Sequence, residues 1–333
     1  MVFFQVAPFY RLLSGIVWFG GLLAIALFSY RGEYSKIFAF KIINISIAFL
    51  AIRILVQQLY FRTDRPSGFL DEPSYAGLLL LGWAAAIMGK MIYEHNNPQK
   101  IQKTDILILC LTLSAGLLTK SMHLITFILS LGIILYSVGL SRSLLWQARL
   151  LSIPLATISY IYLDLNHVMD RLVLSENITN ISLLSWLRGF DQAEQAALIS
   201  PVLGYGLGST GFIPFFSKYS ENLAEVGLEG LNITDAYSAL FRLVIEIGFF
   251  GVLIILFLML MQAKGIRLSI KQKNIDYEKV VSKTLAIFGL ALLIGVLIKE
   301  PTYSRSYVFL AVFLLATNWF GGYKFKSYKR GMA

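Results

Sequence analysis

A single cysteine, Cys110, is all the thiol chemistry in this 333-residue chain, which excludes disulfides and cysteine-held metals. Only three histidines are present, far apart in sequence, so a histidine-based metal site is not expected: metals need several converging ligands. Charge is scarce as well. Charged residues make up 14% of the chain against 57% hydrophobic, a balance that soluble globular domains do not have. Eight prolines form no linker, and neither a low-complexity tract nor an internal repeat is visible. The chain therefore reads as one integral membrane domain over residues 1–333, interrupted once.

What is present is apolar sequence in long runs. Segments suited to crossing about 30 Å of hydrocarbon recur near Leu12–Tyr30, Ile37–Tyr60, Tyr75–Ile92, Thr104–Leu118, Leu124–Leu140, Leu150–Leu163, Tyr237–Gln262, Val281–Leu297 and Tyr307–Phe320. Backbone groups in lipid must be satisfied within their own segment, so these runs are expected to be helices. The expected fold is all-α, a polytopic membrane protein with about nine (eight to eleven) transmembrane helices. The opening residues MVFFQVAPFYR lack the charged flank and cleavage site of a signal peptide, so the first span is expected to act as the insertion signal.

A net charge of +10 invites a nucleic-acid reading, but its placement argues for a membrane instead. With the spans alternating, 18 of the 29 Lys and Arg fall on one side, including the cluster Lys264–Lys283 and the tail Lys324–Arg330. The positive-inside tendency makes that side cytoplasmic. Residues 61–74, the turn at Lys120–His123, a loop over residues 164–236 and residues 299–306 then face the other way. No nucleic-acid partner is expected.

The 164–236 loop holds nine of the 19 acidic residues against three basic ones, Arg171, Arg188 and Lys218. Loops held by a rigid scaffold commonly carry function. Its stretch Ser182–Ile199 has a helical period, with Leu183, Leu184, Leu187 and Phe190 on one side and Arg188, Asp191 and Glu194 close together on a face. Trp186 suits a membrane interface. Pro201 is expected to stop this helix, and the glycines after it let the backbone turn tightly.

Three segments, in order, resemble the Wzy-type O-antigen polymerase and O-antigen ligase superfamily. The first is Arg65-Pro66-Ser67-Gly68-Phe69-Leu70-Asp71-Glu72-Pro73-Ser74 before a span. The second is Leu118-Thr119-Lys120-Ser121 on an outward turn, with Met122 where the family usually has arginine. In the third, Arg188 is followed by Ser200-Pro201-Val202-Leu203-Gly204-Tyr205-Gly206-Leu207-Gly208, then by Glu246-Ile247-Gly248-Phe249-Phe250-Gly251. Where ligases tend to carry His-Asn, this chain has Tyr237-Ser238, which favours the polymerase branch.

The resemblance implies a GT-C-like glycosyltransferase without cofactor or metal, placed in the bacterial inner membrane with its active loop periplasmic. Its substrates would be undecaprenyl-pyrophosphate-linked oligosaccharides, with membrane lipid and a Wzz-type chain-length regulator as partners. Negative charge grows on the departing pyrophosphate, so fixed cations stabilise the transition state. Arginine suits this because its planar fork donates in pairs to phosphate oxygens. Arg65, Arg188 and Arg242 are the expected pyrophosphate group, with Lys120, Ser121, His123, Tyr237, Gly204 and Gly206 as further substrate contacts. Asp235 is the leading base and Glu72 the second, each able to take the acceptor hydroxyl's proton.

Each residue also has a plainer reading. Arg65 stands beside a span end, where long basic side chains snorkel. Glu72 sits where a carboxylate favours a helix N-terminus. Arg188 has Asp191 and Glu194 within reach for a surface pair. His123 can be a satisfied structural residue. Arg242 lies one turn inside a span, where charge is costly and turns toward a polar interior; Arg53 lies deeper and reads as structurally paired. The competing functions are an O-antigen ligase and a lipid-glycan transporter or flippase. Transporter folds usually show internal repeats and broken spans, whereas most spans here read as uninterrupted.

Overall fold

The computed structural model describes residues 36–63, 65–70, 72–95, 102–121, 123–138, 181–231, 233, 236–270, 277–299, 308 and 310–315. All regular structure among them is helical: α1 (Lys36–Leu59), α2 (Pro73–His95), α3 (Lys103–Leu118), α4 (His123–Val138), α5 (Ile181–Ile199), α6 (Lys218–Glu225), α7 (Ala239–Ile270) and α8 (Tyr277–Lys299). Residues 310–315 are helical as well. Expected spans Leu12–Tyr30 and Leu150–Leu163 lie outside the described residues, as does most of Tyr307–Phe320.

Four helices are long and apolar enough to cross a membrane: Lys36–Leu59, Pro73–Glu94, Ala239–Ile266 and Tyr277–Lys299. The protein is thus a helical membrane protein. Two other expected spans, α3 and α4, are helices of 16 residues each. At 1.5 Å per residue α3, both of whose ends are described, is about 24 Å long, less than the full hydrocarbon thickness.

Burial separates the centre from the periphery. The spanning windows of α2 and α8 are 78% buried, whereas those of α1 and α7 are 28% and 33% buried. Outward positions of α1 and α7 are large and apolar, among them Phe49, Leu253 and Phe257, as contact with lipid requires. At the centre Trp83 of α2 meets Phe288 of α8 edge to face at 5.0 Å and donates its indole N–H to Asn44 Oδ1 of α1 at 2.9 Å. Gly82 and Gly116 lie against Phe288 and Leu81, so small residues let the helices approach closely.

α7 is not one continuous helix. It breaks at Gly248, whose φ of 68° and ψ of −165° are outside the helical range. Of the described spans this one departs from the expectation of uninterrupted helices, and its break is part of the site below.

Candidate functional site

The Arg65 segment folds back onto the end of α1. Gly68, at φ 70°, donates its amide to Gln57 Oε1 at 2.8 Å and accepts from Gln57 Nε2 at 3.2 Å. Phe69 lies under the Arg53 guanidinium at 5.8 Å, a cation–π contact consistent with a structural role for Arg53. Arg65 is partly exposed, and its Nε is buried with no hydrogen-bond partner among the described residues. Such a donor leaves a favourable hydrogen bond unmade. Glu72 is exposed beside the start of α2 and accepts from Ser74 Oγ at 2.9 Å.

The second segment turns between α3 and α4 with Lys120 at φ 48°. Thr119 is buried and donates to Gly116 O at 2.6 Å, and Ser121 Oγ accepts from the His123 amide at 3.3 Å. Thr119 and Ser121 pack on Gly77, one turn into α2, where a Cβ would lie 2.7 Å from Thr119 Oγ1 and 2.8 Å from Ser121 Cβ. His123 is 1% exposed, with Nδ1 3.1 Å from Thr126 Oγ1 and packed against Gly295 of α8. Its Nε2 has no partner among the described residues. So enclosed, His123 has the setting of a packing residue more than of an open substrate contact.

The third segment meets the same end of α8. Ser238 Oγ donates to Leu297 O at 2.6 Å, and Trp186 Nε1 donates to Ile298 O at 3.2 Å. These bonds satisfy carbonyls in the last turn of α8 that the helix itself leaves unpaired. Ala236 and Tyr237 lead into α7 at φ 52° and 59°, a left-handed conformation unusual for non-glycine residues. Gly189 of α5 fits directly over Ala236 O, where a Cβ would clash. The Tyr237-Ser238 position is therefore held in place by α5 and α8 together. Asp235, the leading base candidate, lies outside the described residues.

Arg188 is 1% exposed and donates from Nη1 to Glu229 O at 2.6 Å. Of the face expected around it, Asp191 instead accepts from Ser217 Oγ at 2.7 Å, and Glu194 is exposed. Ser217 in turn caps α6, accepting from the Tyr219 amide at 3.3 Å.

Arg242 and the glycine segment belong to one construction. Arg242 Nε lies 2.8 Å from Glu246 Oε1, one turn on, and Thr210 Oγ1 donates to the same oxygen at 3.0 Å. Glu246 is buried. In an unbroken helix the amides of Phe249 and Phe250 would donate to Ile245 O and Glu246 O. Here they donate to Pro201 O at 2.8 Å and Val202 O at 3.3 Å. Ile245 O and Glu246 O accept instead from Tyr205 N at 2.8 Å and Gly206 N at 2.9 Å. The glycine segment thus replaces, bond for bond, what the helix gives up at Gly248.

Only glycine permits this approach at two positions. A Cβ on Gly204 would lie 2.6 Å from Glu246 C and Gly248 N, and one on Gly248 would lie 2.5 Å from Val202 O. Gly206, at φ 97°, has open space around it instead. The glycines expected to contact substrate are thus used in part for backbone docking: Gly204 for closeness and Gly206 for its turn.

Contacts therefore bring the second and third segments together around the last turns of α8, with the start of α2 beside the second. All lie at one end of the bundle. Arg242 and Glu246 join the third segment, whereas Arg65 is tied to α1. Sequence reasoning missed Glu246 and Thr210 as site members. The available signal was a second charge in the same span, four residues after Arg242 and so on the same helix face. Among the described residues no group of three or more His, Cys, Asp and Glu side chains gathers. No family model and no curated protein matches this chain, so its functional reading rests on these residues and on the resemblance carried by the three segments.

Proposed function

We propose that the protein polymerises undecaprenyl-pyrophosphate-linked oligosaccharide repeats into O-antigen or a related surface polysaccharide at the periplasmic face of the bacterial inner membrane. The observation that carries this reading is the meeting, at one end of the bundle, of the segments that carry three of the basic residues. Arg188, Arg242 and Lys120 stand on segments that meet around the end of α8. In this reading the hydroxyl oxygen of an incoming lipid-linked repeat attacks the anomeric carbon of the growing chain. The bond from that carbon to the phosphate oxygen breaks, and undecaprenyl pyrophosphate leaves with the electron pair. The hydroxyl proton passes to a carboxylate, for which Asp235 and the exposed Glu72 are the candidates. Arginines stabilise the charge growing on the pyrophosphate.

Tyr237-Ser238 supports the polymerase over the ligase branch, because Ser238 is engaged in holding the end of α8. A split helix such as α7 is also found in transporters. In this chain, however, the carbonyls freed at the break accept backbone amides of the glycine segment. The test is purified full-length protein in vesicles with a single lipid-linked repeat. Polymerase activity predicts a ladder without lipid A, undiminished by EDTA. A product only when lipid A is present means a ligase, movement without a new bond means a flippase, and loss with EDTA gives the charge-stabilising role to a metal.

A further inference from the structure

The glycine segment lies between spans in sequence, yet it is hydrogen-bonded to the interior of one. Phe249 and Phe250, whose amides bond Pro201 and Val202, are the eleventh and twelfth residues of α7. They lie inside the candidate span Ala239–Ile266, three and four residues past Glu246, where its apolar run begins. A segment paired with them backbone to backbone shares their depth.

Its polarity is the reverse of a water-facing loop. Leu198, Ile199, Val202 and Leu203 are 78%, 69%, 62% and 58% exposed. Several polar residues of the same region point inward: Arg188, Gln192, Ser209 and Thr210 are buried, while Glu194, one turn before Leu198, is exposed. The outward patch continues onto Phe249 and Phe250, both exposed, and then onto the lipid-facing side of α7. Beyond it the pattern switches. α6 exposes Lys218, Glu221 and Glu225, as a helix in water does.

Non-helical backbone is tolerated at membrane depth where its polar groups are met. The amides of Ser200, Gly204, Tyr205 and Gly206 donate to backbone carbonyls, while the carbonyls of Ser200, Pro201 and Val202 accept backbone amides; the amides of Val202 and Leu203 have no backbone partner among the described residues. Gly204 O accepts the Ser200 hydroxyl at 2.8 Å. Pro201 has no amide hydrogen to satisfy.

We infer that residues 198–206 form a re-entrant membrane segment, whose backbone completes the broken α7 and whose Leu198, Ile199, Val202 and Leu203 side chains face lipid acyl chains. The inference depends on α7 crossing the membrane and is independent of the polymerase reading.

Single cysteines at Val202 and Leu203, in a Cys110→Ala background, would be spin-labelled in the full chain reconstituted into phospholipid vesicles. Collision with oxygen, which partitions into lipid, is compared with collision with a water-soluble nickel chelate. Phe257→Cys on the outer side of α7 serves as the lipid reference and Glu221→Cys on α6 as the water reference. Both test sites are outward-facing, so a label disturbs no packing, and two sites guard against one misfolded variant. The expected result is oxygen exposure with nickel protection at 202 and 203, as at 257, and the reverse at 221. Nickel accessibility at 202 and 203 matching 221 would overturn the inference by placing the segment in water. Protection from both reagents would overturn it by showing that protein, from this chain or a second copy, covers the patch.

Discussion

At one end of the bundle Lys90, 1% exposed, lies 2.8 Å from Glu94 and 2.5 Å from Asp105; at the other Arg188, as fully buried, donates to the carbonyl of Glu229. Seventeen residues of α2, about 25 Å of helix, separate Lys90 from Pro73 beside the Arg65 segment. Both ends take charge out of water, a costly step that needs compensation. The Lys90 group holds two carboxylates around one cation, so the cation is answered within the protein. That is the composition of a structural tie between α2 and α3. At the other end basic residues stand on several segments, Arg242 among them paired with Glu246; a buried Arg65 nitrogen has no partner among the described residues, as Glu94 Oε2 has none at the Lys90 end. An arrangement of this kind suits an anion arriving from outside.

The largest effect should come from the docking of glycine segment and helix that holds the site end together. Gly248→Leu places a side chain within 2.7 Å of Val202 and Gly204 backbone atoms at a positive φ. It should cost more than about 4 kcal/mol and remove most folded protein, read as loss of monodisperse material in detergent. Gly206→Ala, with open space but the same sign of φ, should cost about 1–2 kcal/mol. Equal behaviour of the two variants would show that the docking does not hold this end together.

Lys90→Met comes next and probes the opposite end. Leaving two buried carboxylates without their cation should destabilise by about 3–5 kcal/mol, measured by thermal unfolding. Adding Glu94→Gln and Asp105→Asn should restore much of that loss. Turnover per folded molecule should stay at the wild-type value throughout. A smaller effect is expected for Trp186→Phe, which keeps the ring against Phe241 and removes one hydrogen bond to Ile298 O. It should cost about 1 kcal/mol, and a shift in unfolding temperature checks it.

Much of the fold was legible because membrane helices declare themselves by apolar length. Lys36–Leu59 and Tyr277–Lys299 lie close to the runs that marked them, and the stretch Ser182–Ile199 is helical throughout. The break in α7 was not legible. Gly248 sits in an apolar run, and tolerating glycine in a helix looks the same as needing it until Gly204 is known to press against it. The two positions are 44 residues apart, and backbone pairing at such a distance leaves no periodic trace. Arg242 was legible as a charge in a span, but its partner choice among nearby carboxylates needed coordinates. Likewise the Arg188-Asp191-Glu194 spacing pointed to a surface group, whereas tertiary contacts drew Asp191 to Ser217 and Arg188 inward.

The contrast between the two ends is tested most directly by measuring polymerisation rate and unfolding temperature together for Arg188→Lys, Arg188→Ala and Lys90→Met, each reconstituted with a lipid-linked repeat. Lysine keeps the charge but loses the paired donors. If Arg188 serves the departing pyrophosphate, a charged hydrogen bond of roughly 1.5–3 kcal/mol is at stake, about ten- to a hundred-fold in rate. The predicted result is a rate per folded molecule falling in the order wild type, Arg188→Lys, Arg188→Ala, with Lys90→Met showing lost stability and a normal rate per folded molecule. A wild-type rate from Arg188→Ala, or a rate loss in Lys90→Met beyond its loss of folded protein, would contradict the division of the molecule into a structural and a functional end.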